Sequence, residues 1–246
     1  VPDLKFGRLP GSIPVGLRFL DFYRAGTLPQ APPKVDVPVV PAQSDGTPWG
    51  MLGNDSYGDC GVAGIDHGFM VAASVTGETE SFPSSDEVVQ YYLGYTGGQD
   101  TGVVLSDFLG YVHQNGFFGH SVAAYAPVAV HDIPTLHFAV DAYDFAYTGI
   151  KVTAAMQQAY AKGDSWDLDD LFSQTVGGHC VPVVGYDSKY LYCITWGKVQ
   201  PITYACWHYI SDEAWAVIPG EIVSKGDDGR GINLAALQAD LGALTS

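Results

Sequence analysis

In the stretch CGVAGIDHGFMVAASVTG, apolar residues fall at Val62, Ile65, Phe69 and Ala72/Ala73. That three-to-four spacing predicts a buried helix starting at or beside Cys60 and stopping at Gly77. The glycines inside the run lower helix propensity, which implies close packing against a neighbour. PSSDEVVQYYLGYTG and LSDFLGYVHQNGFFG each combine a Ser or Asp N-cap, helical spacing and a closing glycine. Upstream, Val15, Phe19, Phe22 and Tyr23 share one helical face before Gly26, so a short helix is expected there. The prolines of TLPQAPPKVDVPVVPAQSDGTPWG forbid a helix and predict an extended path laid over another surface.

After residue 120 the texture changes. TLHFAVDAYDFAYTGIKV and GGHCVPVVGYDSKYLYCITWG are rich in Val, Ile, Tyr and Phe, and the second reads as two strands around a YDSK turn. A front half mostly helical and a back half mostly strand predict an α+β fold with two lobes and a cleft, not an alternating α/β sheet. The expected organisation is an N-terminal arm over 1–33, a helical lobe over 34–120, an antiparallel β-rich lobe over 121–223 and a C-terminal tail over 224–246. In that tail Leu234, Leu237, Leu241 and Leu244 form an amphipathic stripe after the flexible SKGDDGRG. The stripe predicts a helix docked on its own core, with a partner-binding handle as the alternative.

Composition narrows the classes. Eleven Lys+Arg against 27 Asp+Glu give a formal charge of −16, a field that repels phosphate backbones and anionic membrane surfaces. Neither nucleic acid nor a membrane is expected as a partner. No apolar run approaches the roughly 18 residues of a membrane span, and VPDLKFGRLPGS lacks the apolar core of a secretory signal, so a soluble cytoplasmic or virion-associated protein is expected. Four cysteines, Cys60, Cys180, Cys193 and Cys206, are too few and too scattered for a disulfide framework, and no pair has zinc-like spacing. Neither a metal nor a cofactor is expected.

Cys60 sits where a helix N-terminus would lower a thiol pKa and favour the nucleophilic thiolate. His179, opening a predicted strand, could face such a thiolate across the lobe boundary. MLGNDSYGDC and GGHCVPVVGYD…TWG together resemble the papain-like cysteine peptidases, and more narrowly a group of small papain-like proteins encoded by bacteria and their phages. The resemblance implies Cys60 as nucleophile and His179 as general base. It places Asn54 where the family's Gln serves the oxyanion hole, beside the Cys60 backbone N–H. TWG at 195–197 stands for the family's SWG, which makes Thr195 and Trp196 supporting residues. The implied activity is hydrolysis or acyl transfer on a peptide or protein substrate.

Two departures matter. The family's orienting Asn corresponds to Ile194, which offers no side-chain hydrogen bond, and Thr195 could substitute only if the strand register slips by one residue. Asn54 is one methylene shorter than Gln. A papain-fold binding or structural protein, perhaps from a phage particle and docking through its arm and tail, is therefore the alternative to an enzyme. Other candidates read as structural. His67 lies two turns along the helix from Cys60, and Asp59 points to solvent or caps that helix. Cys180 points away from the His179 face and could pair with Cys193, while His131, His137 and DSWDLDD (164–170) lack metal-site spacing.

Overall fold

The computed structural model describes all residues except 1–3, 25, 27–28, 41–42, 44, 78–81, 225–229 and 245–246. In chain order its first elements are β1 (Arg8–Leu9), a 3-10 turn (Leu20–Tyr23), α1 (Cys60–Thr76), α2 (Ser85–Tyr95), β2 (Val103–Val104) and α3 (Leu105–Asn115). There follow β3 (Val122–Pro127), α4 (Ile133–Tyr143), β4 (Ala146–Thr153), α5 (Ala154–Lys162), a second 3-10 turn (Leu168–Phe172), β5 (Thr175–Tyr186), β6 (Tyr190–Thr195) and β7 (Lys198–Thr203). The chain closes with α6 (Tyr204–Ile210), β8 (Ser211–Pro219), α7 (Gly220–Ser224) and α8 (Leu234–Leu244). The fold is α+β: six strands pair antiparallel throughout in the order β3-β8-β4-β5-β6-β7, and β1 and β2 form a separate parallel pair.

Helix α1 is the hub. Its glycines meet neighbours that leave no room for a side chain: a Cβ at Gly64 would lie 3.0 Å from Cys180 Sγ, and one at Gly68 would lie 2.5 Å from the Phe145 ring. The Tyr147 hydroxyl of β4 donates to the Gly61 carbonyl at 2.8 Å. The propensity lost at these glycines thus brings the helix within contact of the sheet. Gly77 ends the helix in the left-handed conformation, as its position predicts. Helix α2 starts on a complete capping box between Ser84 and Glu87.

Other expectations need correction. The face at 15–23 does not make an α-helix: only the four-residue 3-10 turn forms, because Leu17, Leu20 and Tyr23 are buried while Val15 and Phe22 stay 96% and 64% exposed. The predicted stripe mixes the two sets. Helix α3 has Val104, not Ser or Asp, at its N-cap. The segment 135–152, read as strand-rich although a helix start is expected at DIPTL, is half helix: Asp132 caps α4 by accepting from the Thr135 N–H, as that start predicts, and only Ala146–Thr153 joins the sheet.

The proline-rich path lies over the sheet as expected, with Val35 and Tyr186 exchanging both backbone hydrogen bonds. The C-terminal stripe packs on its own chain: Leu237 and Leu241 are buried, and Asp240 of α8 accepts from the Tyr23 hydroxyl and from Arg18. Most of the linker expected to be flexible, residues 225–229, lies outside the described residues. All four cysteines are free, and Cys193 stands opposite Val183, not Cys180. No described helix is long and apolar enough to cross a membrane.

Candidate active site

Cys60 is the first residue of α1, and its sulfur accepts a hydrogen bond from the Cys180 backbone N–H at 3.4 Å. The packing of α1 on β5 thereby sets the thiol at the residue following His179. Cys180 turns its own sulfur toward Gly64 of α1, the His179 ring stacks on Trp196 at 4.5 Å, and both residues are buried.

The imidazole has a partner that the sequence assigned only on condition of a slip. Thr195 Oγ1 lies 2.7 Å from His179 Nε2. The slip is present as a bulge between β5 and β6: Gly185 faces Tyr192, yet Val183 faces Cys193. Continuing the second pairing places Thr195 opposite Val181, on the same face as His179, and turns Ile194 into the core of the opposite face. One extra residue re-aims every side chain beyond it. Trp196 and Gly197 then make the turn with φ of 45° and 78°, and Tyr160 donates to the Trp196 carbonyl at 2.6 Å. His179 Nδ1 has no hydrogen-bond partner.

Asn54 stands in the loop before α1, held from beneath by His67, whose Nε2 lies 3.0 Å from both the Trp49 and Gly50 carbonyls. The Asn54 amide donates to the Tyr57 carbonyl at 3.2 Å, within its own loop. Asp59 neither caps α1 with its side chain nor faces solvent, contrary to expectation. It is fully buried, and burial, opposed by a hydrogen bond from Asn54, pushes its carboxyl up to about 8. That leaves it largely protonated at neutral pH.

The N-terminal arm crosses this constellation. The Phe6 ring meets His179 and Trp196 edge-on at 5.8 and 6.0 Å. Gly7 directs its N–H to the Cys60 sulfur, while its carbonyl accepts from the Val103 N–H at 2.7 Å. Arg8 and Leu9 pair with Val103 and Val104 as strand β1. Beneath the arm, a Cβ at Gly177 would lie 2.7 Å from Phe6, and one at Gly178 would lie 2.7 Å from the Arg8 carbonyl.

Covered in this way, the pair is neutral. Burial pushes the Cys60 thiol up to about 11, outweighing the hydrogen bonds from Cys180 and Gly7, and it pushes His179 down to about 3. The expected lowering of the thiol pKa by the helix N-terminus is overridden by desolvation.

Of the residues the sequence reading named, the structure joins His179 to Thr195 and Trp196, sets the Cys60 sulfur on the Cys180 N–H without a hydrogen bond to the His179 ring, and turns Asn54 into its own loop; the reading missed Phe6, Gly7, Gly177 and Gly178. The signal available was the GG pair immediately before His179, since glycine inside a strand marks a close approach of another backbone.

No protein-family model matches the sequence, and no curated protein matches it. Among solved structures, the crystal structure of xylellain, a cysteine protease from Xylella fastidiosa, is similar with a TM-score of 0.60 and 14% identity. The match covers 88% of this chain and 96% of that one. At this identity the likeness carries the architecture: the chain has a papain-like α+β fold.

Proposed function

We propose that this protein is a thiol hydrolase of the peptide or amide-bond class, working through Cys60 and His179 and closed in this structure by its own arm. The observation that carries the reading is the junction of helix start and strand, where the Cys60 sulfur receives the Cys180 N–H while the neighbouring His179 is fixed by Thr195 and Trp196. With the arm displaced, the sulfur gives its proton to His179 and its electron pair to the substrate carbonyl carbon. Collapse of the adduct breaks the C–N bond, and the imidazolium returns the proton to the leaving amine. Water, deprotonated by the same imidazole, then cleaves the thioester and restores the thiol. The Cys60 N–H would receive the oxyanion, and Asn54 would join it only by giving up its hydrogen bond to Tyr57 or to Asp59.

A second reading, a papain-fold binding protein without catalysis, is favoured by the neutral, fully buried state of the pair. One experiment separates them. In the full chain carrying Phe6→Ala and Arg8→Ala, which loosens the arm, Cys60 is expected to react with iodoacetamide near pH 6–7 at least tenfold faster than the wild type, and His179→Ala removes the gain. Reaction at the rate of an ordinary thiol, rising only toward pH 9, would establish the binding protein instead.

A further inference from the structure

Hydrolysis through Cys60 leaves a second thiol beside it without a task. Cys180 is buried on β5, and its own backbone N–H meets the Cys60 sulfur at 3.4 Å. The Cys180 Cβ, two covalent bonds from that nitrogen, therefore lies no more than about 6 Å from the same sulfur. Its side chain turns toward α1: a Cβ at Gly64 would lie 3.0 Å from the Cys180 sulfur. Gly64 follows Cys60 by four residues, so the two share one face of the helix. Both thiols thus lie in the seam between α1 and β5.

That seam also supplies a hydrogen-bonding group. The Tyr147 hydroxyl, which donates to the Gly61 carbonyl at 2.8 Å, stands against the Cys180 thiol as well. Burial and the neighbouring Cys60 sulfur hold the Cys180 thiol well above its ordinary value, and the hydrogen bond with Tyr147 opposes them. The other two cysteines sit elsewhere. Cys193 directs its thiol to the Gln200 carbonyl at 3.5 Å, between β6 and β7, and Cys206 is buried in α6.

We propose that Cys60 and Cys180 are a redox pair: once the arm is displaced, hydrogen peroxide oxidises Cys60, and Cys180 captures it as an intramolecular disulfide that a dithiol reverses. The Cys60 sulfur attacks one peroxide oxygen, the O–O bond breaks, and the thiol proton leaves with the other oxygen as water, giving a sulfenic acid. The Cys180 sulfur then attacks the Cys60 sulfur. Its proton leaves with the sulfenic oxygen as a second water, and the S–S bond forms. Under the closed arm both thiols are buried and neutral, so oxidation waits on opening. Capture keeps the Cys60 sulfur off the irreversible sulfinic step, and it does not depend on whether Cys60 hydrolyses anything.

The test treats the full chain, as wild type and with Phe6→Ala and Arg8→Ala, with hydrogen peroxide, then denatures it, blocks free thiols with N-ethylmaleimide and cuts with trypsin without reductant. Cleavage after Lys34, Lys151, Lys162, Lys189 and Lys198 puts each cysteine in its own peptide. The loosened chain is expected to lose two of its four thiols as a crosslink between the Cys60 and Cys180 peptides, reversed by dithiothreitol, at least tenfold faster than the wild type. Raised ionic strength, which weakens the Arg8 ion pairs, should speed the wild type in the same direction and serves where the double substitution does not fold. With Cys180→Ser, Cys60 should persist as a sulfenic acid, captured by dimedone at least tenfold more than when Cys180 is present, and Cys60→Ser should leave Cys180 reduced. Oxidation of Cys60 to sulfinic acid with Cys180 still reduced, equal dimedone capture with Cys or Ser at position 180, or a crosslink to Cys193, Cys206 or a second chain overturns the pair. A Cys60–Cys180 crosslink in a chain whose Cys60 alkylates no faster than an ordinary thiol leaves the pair standing and overturns the hydrolase reading.

Discussion

Thr195 shows how much can hang on one hydroxyl. Among the described residues it is the side chain that hydrogen-bonds His179, at Nε2, and it leaves Nδ1 free to exchange protons. Thr195→Val keeps the shape and removes the partner; a neutral hydrogen bond is worth about 1 kcal/mol net, so kcat/KM for a fluorogenic peptide in the arm-loosened chain should fall about fivefold. Thr195→Ser should restore most of it, whereas equal losses for Val and Ser would assign Thr195 to packing alone. Cys60 and His179 were named from the sequence through the resemblance that their two stretches carry; Cys60 does start α1, whereas His179, expected to open its strand, is the fifth residue of β5 because the Gly177–Gly178 pair before it already pairs with β4. The Thr195 contact was legible only as a condition, because the bulge at Val183–Gly185 that meets it leaves no mark in a run of uniformly apolar residues.

Between elements, the approach of α1 to the sheet is set by residues without side chains. Gly68→Ala would force a methyl against the Phe145 ring, and overpacking of this kind costs about 1–3 kcal/mol. For a chain of this size that lowers Tm by roughly 2–4 °C per kcal/mol, measurable by calorimetry, whereas Gly94→Ala in α2, whose Cβ meets nothing within 4 Å, should not lower Tm. Periodicity revealed α1, α2, the β5–β6 hairpin and the docked α8, each an element whose apolar spacing matches its buried face. It failed where that match breaks. The 15–23 stripe interleaves buried and exposed residues, and the Phe, Val and Tyr of α4 read as strand although DIPTL before them reads as the helix start that the Asp132 cap makes.

Across the whole molecule, acidity outside is accompanied by protonated acids inside. Asp66 of α1 is fully buried without a hydrogen-bond partner, and burial, opposed by His120, raises its carboxyl to about 8. Because this folded-state pKa lies above that of the unfolded chain, the folded protein keeps a proton that the unfolded one releases. Stability is therefore full below about pH 4 as far as this group is concerned, and declines by roughly 1.4 kcal/mol per pH unit as pH rises toward about 8. Asp66→Asn should flatten that decline in urea melts taken from pH 4.5 to 7.5, and an unchanged slope would show that Asp66 does not cause it.

The arm carries one more consequence at this scale. Since Phe6, Gly7 and Arg8 belong to the same covalent chain as the groups they cover, their occupancy is set by a tether and not by how much protein is present, and dilution cannot empty the cleft. Opening must come by peeling apart two residue pairs and the ion pairs of Arg8 with Asp212 and Glu213, so ionic strength and competing strands, more than time or concentration, govern when the Cys60 sulfur is uncovered.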